Sequence, residues 1–248
     1  RFGAVGVWKF VGGVLVVLAL LLVILEVLRA RREGLRRVSW ALATGALAVW
    51  LLGSEGPTAI TRHTPIGAGR VNLAGLDKNE VRDWSHRTRL RLLWERDGVE
   101  SSLGVAHGNG LTFLVSGKAD GAVYGDRGTQ ALSGVIPALL HDGVKNAFVL
   151  GLGTGMTAGW LSSVPGVEHV DVAELEPAII EVARGAAAAN QNVLERPNVH
   201  LFVGDGREFL LTGERKYDLL VSEPSNPYRA GVASLFTREF YTAAAARL

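Results

Sequence analysis

The stretch Val149-Leu150-Gly151-Leu152-Gly153-Thr154-Gly155-Met156-Thr157 constrains the fold of this chain more than any other. An apolar run ends in three alternating glycines that open a helix, and Glu174 closes the next apolar run 23 positions after Gly151. In a doubly wound sheet, glycines at this turn let a ligand approach the backbone. An acidic residue ending the second strand accepts hydrogen bonds from ribose hydroxyls. The pattern predicts a nucleoside site built on Gly151, Gly153, Thr154, Gly155 and Glu174. Position 156 is Met, so the last glycine of G-x-G-x-x-G is absent. That disfavours a dinucleotide and favours a nucleoside with a non-phosphate tail, such as S-adenosylmethionine.

Around this turn, short apolar runs alternate with helical segments, the pattern of a parallel sheet. Strands are expected at 146–151, 168–173, 198–203 and 217–222, and helices at 155–163, 177–189, 206–212 and 234–247. Pro177 at a helix start and Gly143, Gly166 and Gly213 between elements support these boundaries. The chain begins at Arg1 and ends at Leu248 within an expected helix, so it reads as a fragment whose sheet takes its last strands from residues beyond Leu248.

Upstream, Arg89–Trp94, Glu100–Ala106 and Leu111–Val115 alternate like antiparallel strands, and Gly108-Asn109-Gly110 is a strong hairpin signal. A helix is expected over 128–140. Residues 54–75 are rich in Gly, Pro and Thr and read as a linker. The expected domains are 1–53, two transmembrane helices with a basic loop; 54–87, a linker; 88–127, a small antiparallel β domain; and 128–248, a Rossmann-like nucleoside-binding catalytic domain.

The basic character of the chain is local. Of 26 basic and 24 acidic residues, seven and two lie in 1–54, leaving 19 and 22 in the remainder. A mildly acidic globular part argues against nucleic acid and suits a cationic substrate. Phe10 to Leu25 is uncharged and strongly apolar; Val38 to Gly53 follows an arginine cluster over Arg29–Arg37. Each is somewhat short against the roughly 20 residues a spanning helix needs. Trp8, Trp40 and Trp50 lie near the run ends, as interfacial aromatics do, and the arginines suit a cytoplasmic loop. A transmembrane hairpin is expected, with a buried soluble hairpin as the alternative. A cytoplasmic arginine loop would put the globular part on the opposite face, away from the nucleoside pool, so its side stays open.

Three further clusters carry chemistry. Val203-Gly204-Asp205-Gly206 ends the third strand, where Asp205 either accepts from an adenine amino group or caps the next helix. Ser222-Glu223-Pro224-Ser225-Asn226-Pro227-Tyr228 ends the fourth strand, and its prolines stiffen the loop. Glu223 there is placed to take a proton from an attacking nucleophile, or else to pair with Arg229 or cap the backbone. Gly117–Gly121 and Gly125–Gln130 form a polar cluster between the sheets, a natural substrate lip, though Asp126 equally suits a helix cap. No cysteine is present, and the six histidines lack metal-ligand spacing, so no metal is expected; His169 and His200 read as structural.

Together these segments resemble the spermidine synthase (polyamine aminopropyltransferase) family, in particular its bacterial branch fused to membrane helices, from about Trp94 to the C-terminus. The resemblance rests on the glycine turn, Glu174, Gly204-Asp205-Gly206, the loop after Tyr217-Asp218, and Ser234-Leu235-Phe236 to Phe240-Tyr241. It implies a Rossmann-like sheet of the S-adenosylmethionine-methyltransferase type, preceded by the small β-sheet and the helical hairpin. It further implies that Glu174 binds ribose, Asp205 binds adenine with Gly206 also at the cofactor, and Glu223 stands at the catalytic Asp position. The expected substrates are decarboxylated S-adenosylmethionine and a small amine, without a metal. The expected partners are the bilayer of the bacterial cell membrane and a second copy of the chain.

The sequence departs from that family where charge matters. Thr154 replaces the usual Asp of the glycine turn, and Glu223-Pro224-Ser225-Asn226-Pro227 replaces Asp-Ser-Ser-Asp-Pro. An ungapped match through Gly117 puts Asp120 at a nucleoside-contacting Gln and Thr129 at a Tyr. Gln130 falls where the family carries Gln or His. One charge pair about 4 Å apart, at an effective dielectric near 20, is worth about 4 kcal/mol before desolvation. The loss of carboxylates at Thr154 and Asn226 is therefore enough to change the substrate. Asp120, Asp126, Gln130 and Asn226 are the candidate substrate-binding residues. Two other functions compete: an S-adenosylmethionine-dependent methyltransferase, which a neutral Thr154 favours, and a catalytically silent nucleoside sensor attached to a membrane region.

Overall fold

Residues 4–29, 34–53, 71–108, 110–228 and 231–248 are described by a computed structural model. The chain divides into two compact units, residues 1–58 and 59–248. Most of the expected linker, along with Arg31, Arg32, Asn109 and Arg229, lies outside the described residues.

The first unit is a pair of helices, α1 (Ala4–Arg29) and α2 (Gly34–Leu52). Gly12 lets them approach closely: a Cβ there would lie 2.6 Å from Leu52 Cδ2. Gly6–Leu25, with a mean hydropathy of 2.7 and none of it buried, is long and apolar enough to cross a membrane. The apolar part of α2, Val38–Leu52, is shorter and falls below that length, so the expectation of two spanning helices reduces to one candidate. Trp8, Trp40 and Trp50 are all exposed.

Among the described residues, the first element of the second unit is α3 (Lys78–Leu90), where a linker up to 87 was expected. Its signal is a capping box: the Asp77 side chain accepts from Asn79 N and Glu80 N, and the Glu80 carboxylate accepts from Asp77 N. The helix is polar and buries no residue, so the periodic apolar stripe that announces most helices is missing.

Four antiparallel strands follow in meander order: β1 (Leu92–Asp97), β2 (Ser102–Gly108), β3 (Gly110–Val115) and β4 (Lys118–Ala122). β4 was expected as a polar loop. Its Lys-Ala-Asp-Gly-Ala sequence lacks β-branched and aromatic residues, so pairing with β3 overrides local preference.

After α4 (Arg127–Leu140) come β5 (Asn146–Leu150), α5 (Met156–Leu161), β6 (His169–Glu174), α6 (Ile179–Gly185), β7 (Val199–Val203), α7 (Gly206–Thr212), β8 (Leu219–Ser222) and α8 (Arg238–Ala245). The four strands are parallel in the order β7-β6-β5-β8. The chain thus runs outward from β5 to β7 and returns on the other side of β5. The topological switch point, where ligands settle in such sheets, falls between β5 and β8.

Alternation puts Ala147, Val149, Val170 and Val172 in one core cluster and Phe148 and Ala173 in another. Phe148, Val170 and Val172 are fully buried, and each such side chain contributes about 1.5–3 kcal/mol. His169 and His200, at the amino ends of β6 and β7, stack at 4.2 Å, in keeping with a structural role.

Candidate active site

Parallel register brings three sequence-predicted residues to one edge. Leu150 pairs with Ala173 on one side and with Ser222 on the other. Gly151, Glu174 and Glu223 each stand one residue further on. With strands about 4.8 Å apart, the two carboxyl-bearing residues flank the glycine turn, one on each side.

The turn itself is built by Gly151, Gly153 and Gly155, with φ of 91°, 53° and 79°. Side chains are strained at such angles, and a Cβ on Gly155 would also meet Val193 Cγ1 at 2.6 Å. Asn190, fully buried, donates through Nδ2 to the carbonyls of Thr154 (2.8 Å) and Ala183 (2.7 Å) and accepts from Val193 N. This support was not anticipated; Asn190 lies in an alanine-rich stretch with no motif around it.

Glu174 is buried and accepts from Leu152 N and Glu176 N, one bond per oxygen, each at 2.8 Å. Burial raises its pKa, and these backbone donors oppose the rise. Gly153 N–H also faces the carboxylate, which leaves about one acceptor position for a ribose hydroxyl. Glu176 is buried as well and ties in the small sheet by accepting from Glu100 N at 2.8 Å.

Thr154 is 2% exposed, and its hydroxyl donates to Gln130 Oε1 in a short contact. Gln130 Nε2 donates to Ala122 O at 3.2 Å, and its own carbonyl accepts from Thr157 Oγ1. Gln130 and Thr154, predicted from separate motifs, therefore form one unit that joins β4, α4 and the glycine turn. No carboxylate takes part in it.

Asp205 caps α7 by accepting from Arg207 N at 2.9 Å, and the Arg207 guanidinium grips both of its oxygens. That ion pair, first among the causes, holds the Asp205 carboxyl below its ordinary pKa. Both sequence alternatives for this residue thus stay compatible: it caps, and it faces the same edge. A Cβ on Gly206 would sit 2.2 Å from Leu150 Cδ1, so that side chain would have to shift. Arg207 was not anticipated.

Glu223 is exposed and makes no hydrogen bond or ion pair among the described residues. The alternative pairing with Arg229 lies outside them. Two residues on, Ser225 Oγ donates to Asp120 Oδ2 at 2.7 Å, and Asp120 Oδ1 pairs with Lys118 Nζ at 2.5 Å. The polar cluster of the small sheet is therefore joined to the Glu223 loop. Asn226 Nδ2 donates to Tyr228 Oη at 2.9 Å. Asp126 stands at the N-cap position of α4 but makes no side-chain cap bond; its carboxylate accepts from Ala122 N at 2.9 Å and closes the turn after β4.

A separate cavity of about 200 Å³, lined by Asp171, Arg215, Tyr217 and Arg247 among others, lies at the amino ends of β6 and β8. It is remote from the glycine turn, and the Asp171 carboxylate is already engaged by Tyr217 Oη, His169 Nε2 and Arg215. Among the described residues, no group of three or more His, Asp or Glu side chains is placed to hold a metal ion.

Residues 129–248 match the spermine/spermidine synthase domain. The polyamine aminopropyltransferase of Clostridium perfringens is 35% identical over 106 residues, 43% of this chain and 37% of that protein. The one from Nitrosomonas europaea is 35% identical over 109 residues, 44% of this chain and 33% of that protein. The chain thus spans about a third of the length of the curated relatives it matches. A spermidine synthase solved in complex with the transition-state analogue AdoDATO superposes with a TM-score of 0.59 at 20% identity, covering 64% of this chain and 55% of that one. The Thermotoga maritima spermidine synthase gives 0.57 at 21% identity, covering 64% and 54%. These two structures share the fold.

Proposed function

We propose that this chain, whose residues 129–248 form a spermine/spermidine synthase domain, transfers an aminopropyl group from decarboxylated S-adenosylmethionine to a small amine. The observation that carries this is the in-register edge: Gly151, Glu174 and Glu223 side by side across the switch point. The glycine turn receives the nucleoside, Glu174 takes a ribose hydroxyl, and Asp205 with Gly206 takes the adenine edge. Thr154 and Gln130 stand beside the sulfonium tail. Asp120, Asp126 and Asn226 form the lip on the acceptor side.

In the reaction, the lone pair of a neutral amine attacks the methylene carbon next to the sulfonium. The carbon–sulfur bond breaks, its electrons return to sulfur, and methylthioadenosine leaves as a neutral thioether. The amine nitrogen loses its extra proton to Glu223, which has no competing partner among the described residues. Holding the two reactants in line supplies most of the acceleration, and the base keeps the attacking nitrogen neutral. We further propose that α1 holds the protein at a membrane, on the strength of Gly6–Leu25.

The test offers the protein decarboxylated or intact S-adenosylmethionine with a mixture of small amines and identifies the nucleoside product by mass spectrometry. Methylthioadenosine formed only when an amine is present is the expected result. S-adenosylhomocysteine would establish methyl transfer instead. Nucleoside binding without either product would leave a sensor.

A further inference from the structure

Helix α3 presents one cationic face to solvent. Lys78, Arg82, His86 and Arg89 are all exposed along it and recur at helical spacing. At 3.6 residues per turn they fall within about 80° of arc and form one continuous stripe. Glu80 and Asp83 lie outside that arc. Val81, Trp84 and Thr88, all half-buried, occupy a different side of the helix. The stripe supplies nothing to the core, because α3 buries no residue and its start is fixed by the Asp77–Glu80 capping box.

Charge is divided unevenly along this part of the chain. Residues 78–96 hold six basic and three acidic residues, whereas 97–248 hold 11 and 17. A negatively charged plane therefore attracts α3 and repels the remainder, so the attraction also orients the globular part. Lys78 comes 26 positions after Leu52, the end of α2, and Gly6–Leu25 in the same chain is long and apolar enough to cross a bilayer. Basic residues that follow a membrane segment are drawn to anionic headgroups. We propose that the stripe formed by Lys78, Arg82 and Arg89 on α3 docks on the anionic headgroups of a lipid bilayer. Single-stranded nucleic acid fits the stripe less well, because such sites interleave cations with aromatic platforms and Trp84 is turned to another side. The inference rests on the membrane attachment proposed above and adds a second, electrostatic contact to it.

The chain has no cysteine, so Asn79→Cys, exposed beside the stripe, gives one site for a fluorophore. The full chain is reconstituted into vesicles of phosphatidylcholine alone or with phosphatidylglycerol added, each carrying a headgroup-labelled energy acceptor. Flotation first reports which vesicles hold the protein. Energy transfer is expected to be higher on the anionic vesicles and to fall to the neutral level in high salt. Each Lys or Arg near such a surface is worth about fivefold. The combined Lys78→Gln, Arg82→Gln and Arg89→Gln variant should therefore lower the docked-to-undocked ratio on the order of 100-fold. Arg82→Lys with Arg89→Lys keeps the charge and should keep the transfer, which separates electrostatics from any effect on folding. Equal transfer on neutral and anionic vesicles, with the protein floating on both, would overturn the inference and leave the membrane attachment standing. Protein that floats on neither would remove both. A fluorophore response to single-stranded RNA at lower concentration than to charged lipid would reassign the stripe to nucleic acid.

Discussion

Asn190 Nδ2 donates to the Thr154 carbonyl at 2.8 Å, so a fully buried amide holds the peptide at the centre of the glycine turn. Two backbone groups depend on that one side chain, the Thr154 carbonyl and the Val193 N–H, while the Ala183 carbonyl also accepts from Ala186 N. Each buried group left unsatisfied costs about 1–3 kcal/mol, and Asn190→Ala orphans two at once. A loss of stability on the order of 3 kcal/mol is expected from urea denaturation. Nucleoside binding should weaken with it, because the turn loses its support.

Glu174 predicts a pH dependence with a definite sign. Its folded pKa lies above the ordinary carboxylate value because burial penalises the charge. The native state therefore holds this proton more tightly than the unfolded chain. Its contribution to stability is full below the unfolded pKa and is lost as pH rises through the folded one. A ribose hydroxyl donates to the ionised form, so methylthioadenosine should bind more tightly as pH climbs through that same raised value. Calorimetric titration across acidic to neutral pH checks this. Glu174→Gln should abolish the pH response and most of the binding.

Glu223→Gln removes the proposed base without disturbing a partner, since none is present among the described residues. General base catalysis contributes typically about 10²–10⁴ in rate, and kcat should fall within that range with nucleoside binding unchanged. Unaltered turnover would exclude Glu223 from catalysis.

The parts of the site legible in the sequence are those written in short spans of chain. Gly151, Gly153, Gly155 and Glu174 announce themselves because strand, turn and helix follow one another and each imposes its own residue type. Asp205 was legible both as a cap and as an edge residue, but its grip by Arg207 was not, because an i,i+2 pair has no fixed meaning in a turn. Gln130 and Thr154 were each singled out, yet their bond joins residues 24 positions apart on different elements. β4 was missed because its small residues carry no strand propensity. Asn190 was missed because only tertiary packing brings it under the glycine turn.

Ser225 offers the clearest way to separate loop position from chemistry. Its hydroxyl is bonded to Asp120, and the Asp120 charge is in turn balanced by Lys118. Strand β4 and the Glu223 loop are tied together at this point. Ser225→Ala removes the hydroxyl that donates to Asp120 and leaves Lys118 paired with that carboxylate. A hydrogen bond to a charged group is worth about 1.5–3 kcal/mol, yet the loop is a surface segment and global stability should change by less than about 1 kcal/mol. The loss should appear in function: a rise of about tenfold in KM for the amine at an unchanged donor KM. Steady-state kinetics with each substrate varied in turn reads this directly. A rise in donor KM of the same size would place Ser225 with the nucleoside half of the site and break the assignment of the β4 lip to the acceptor.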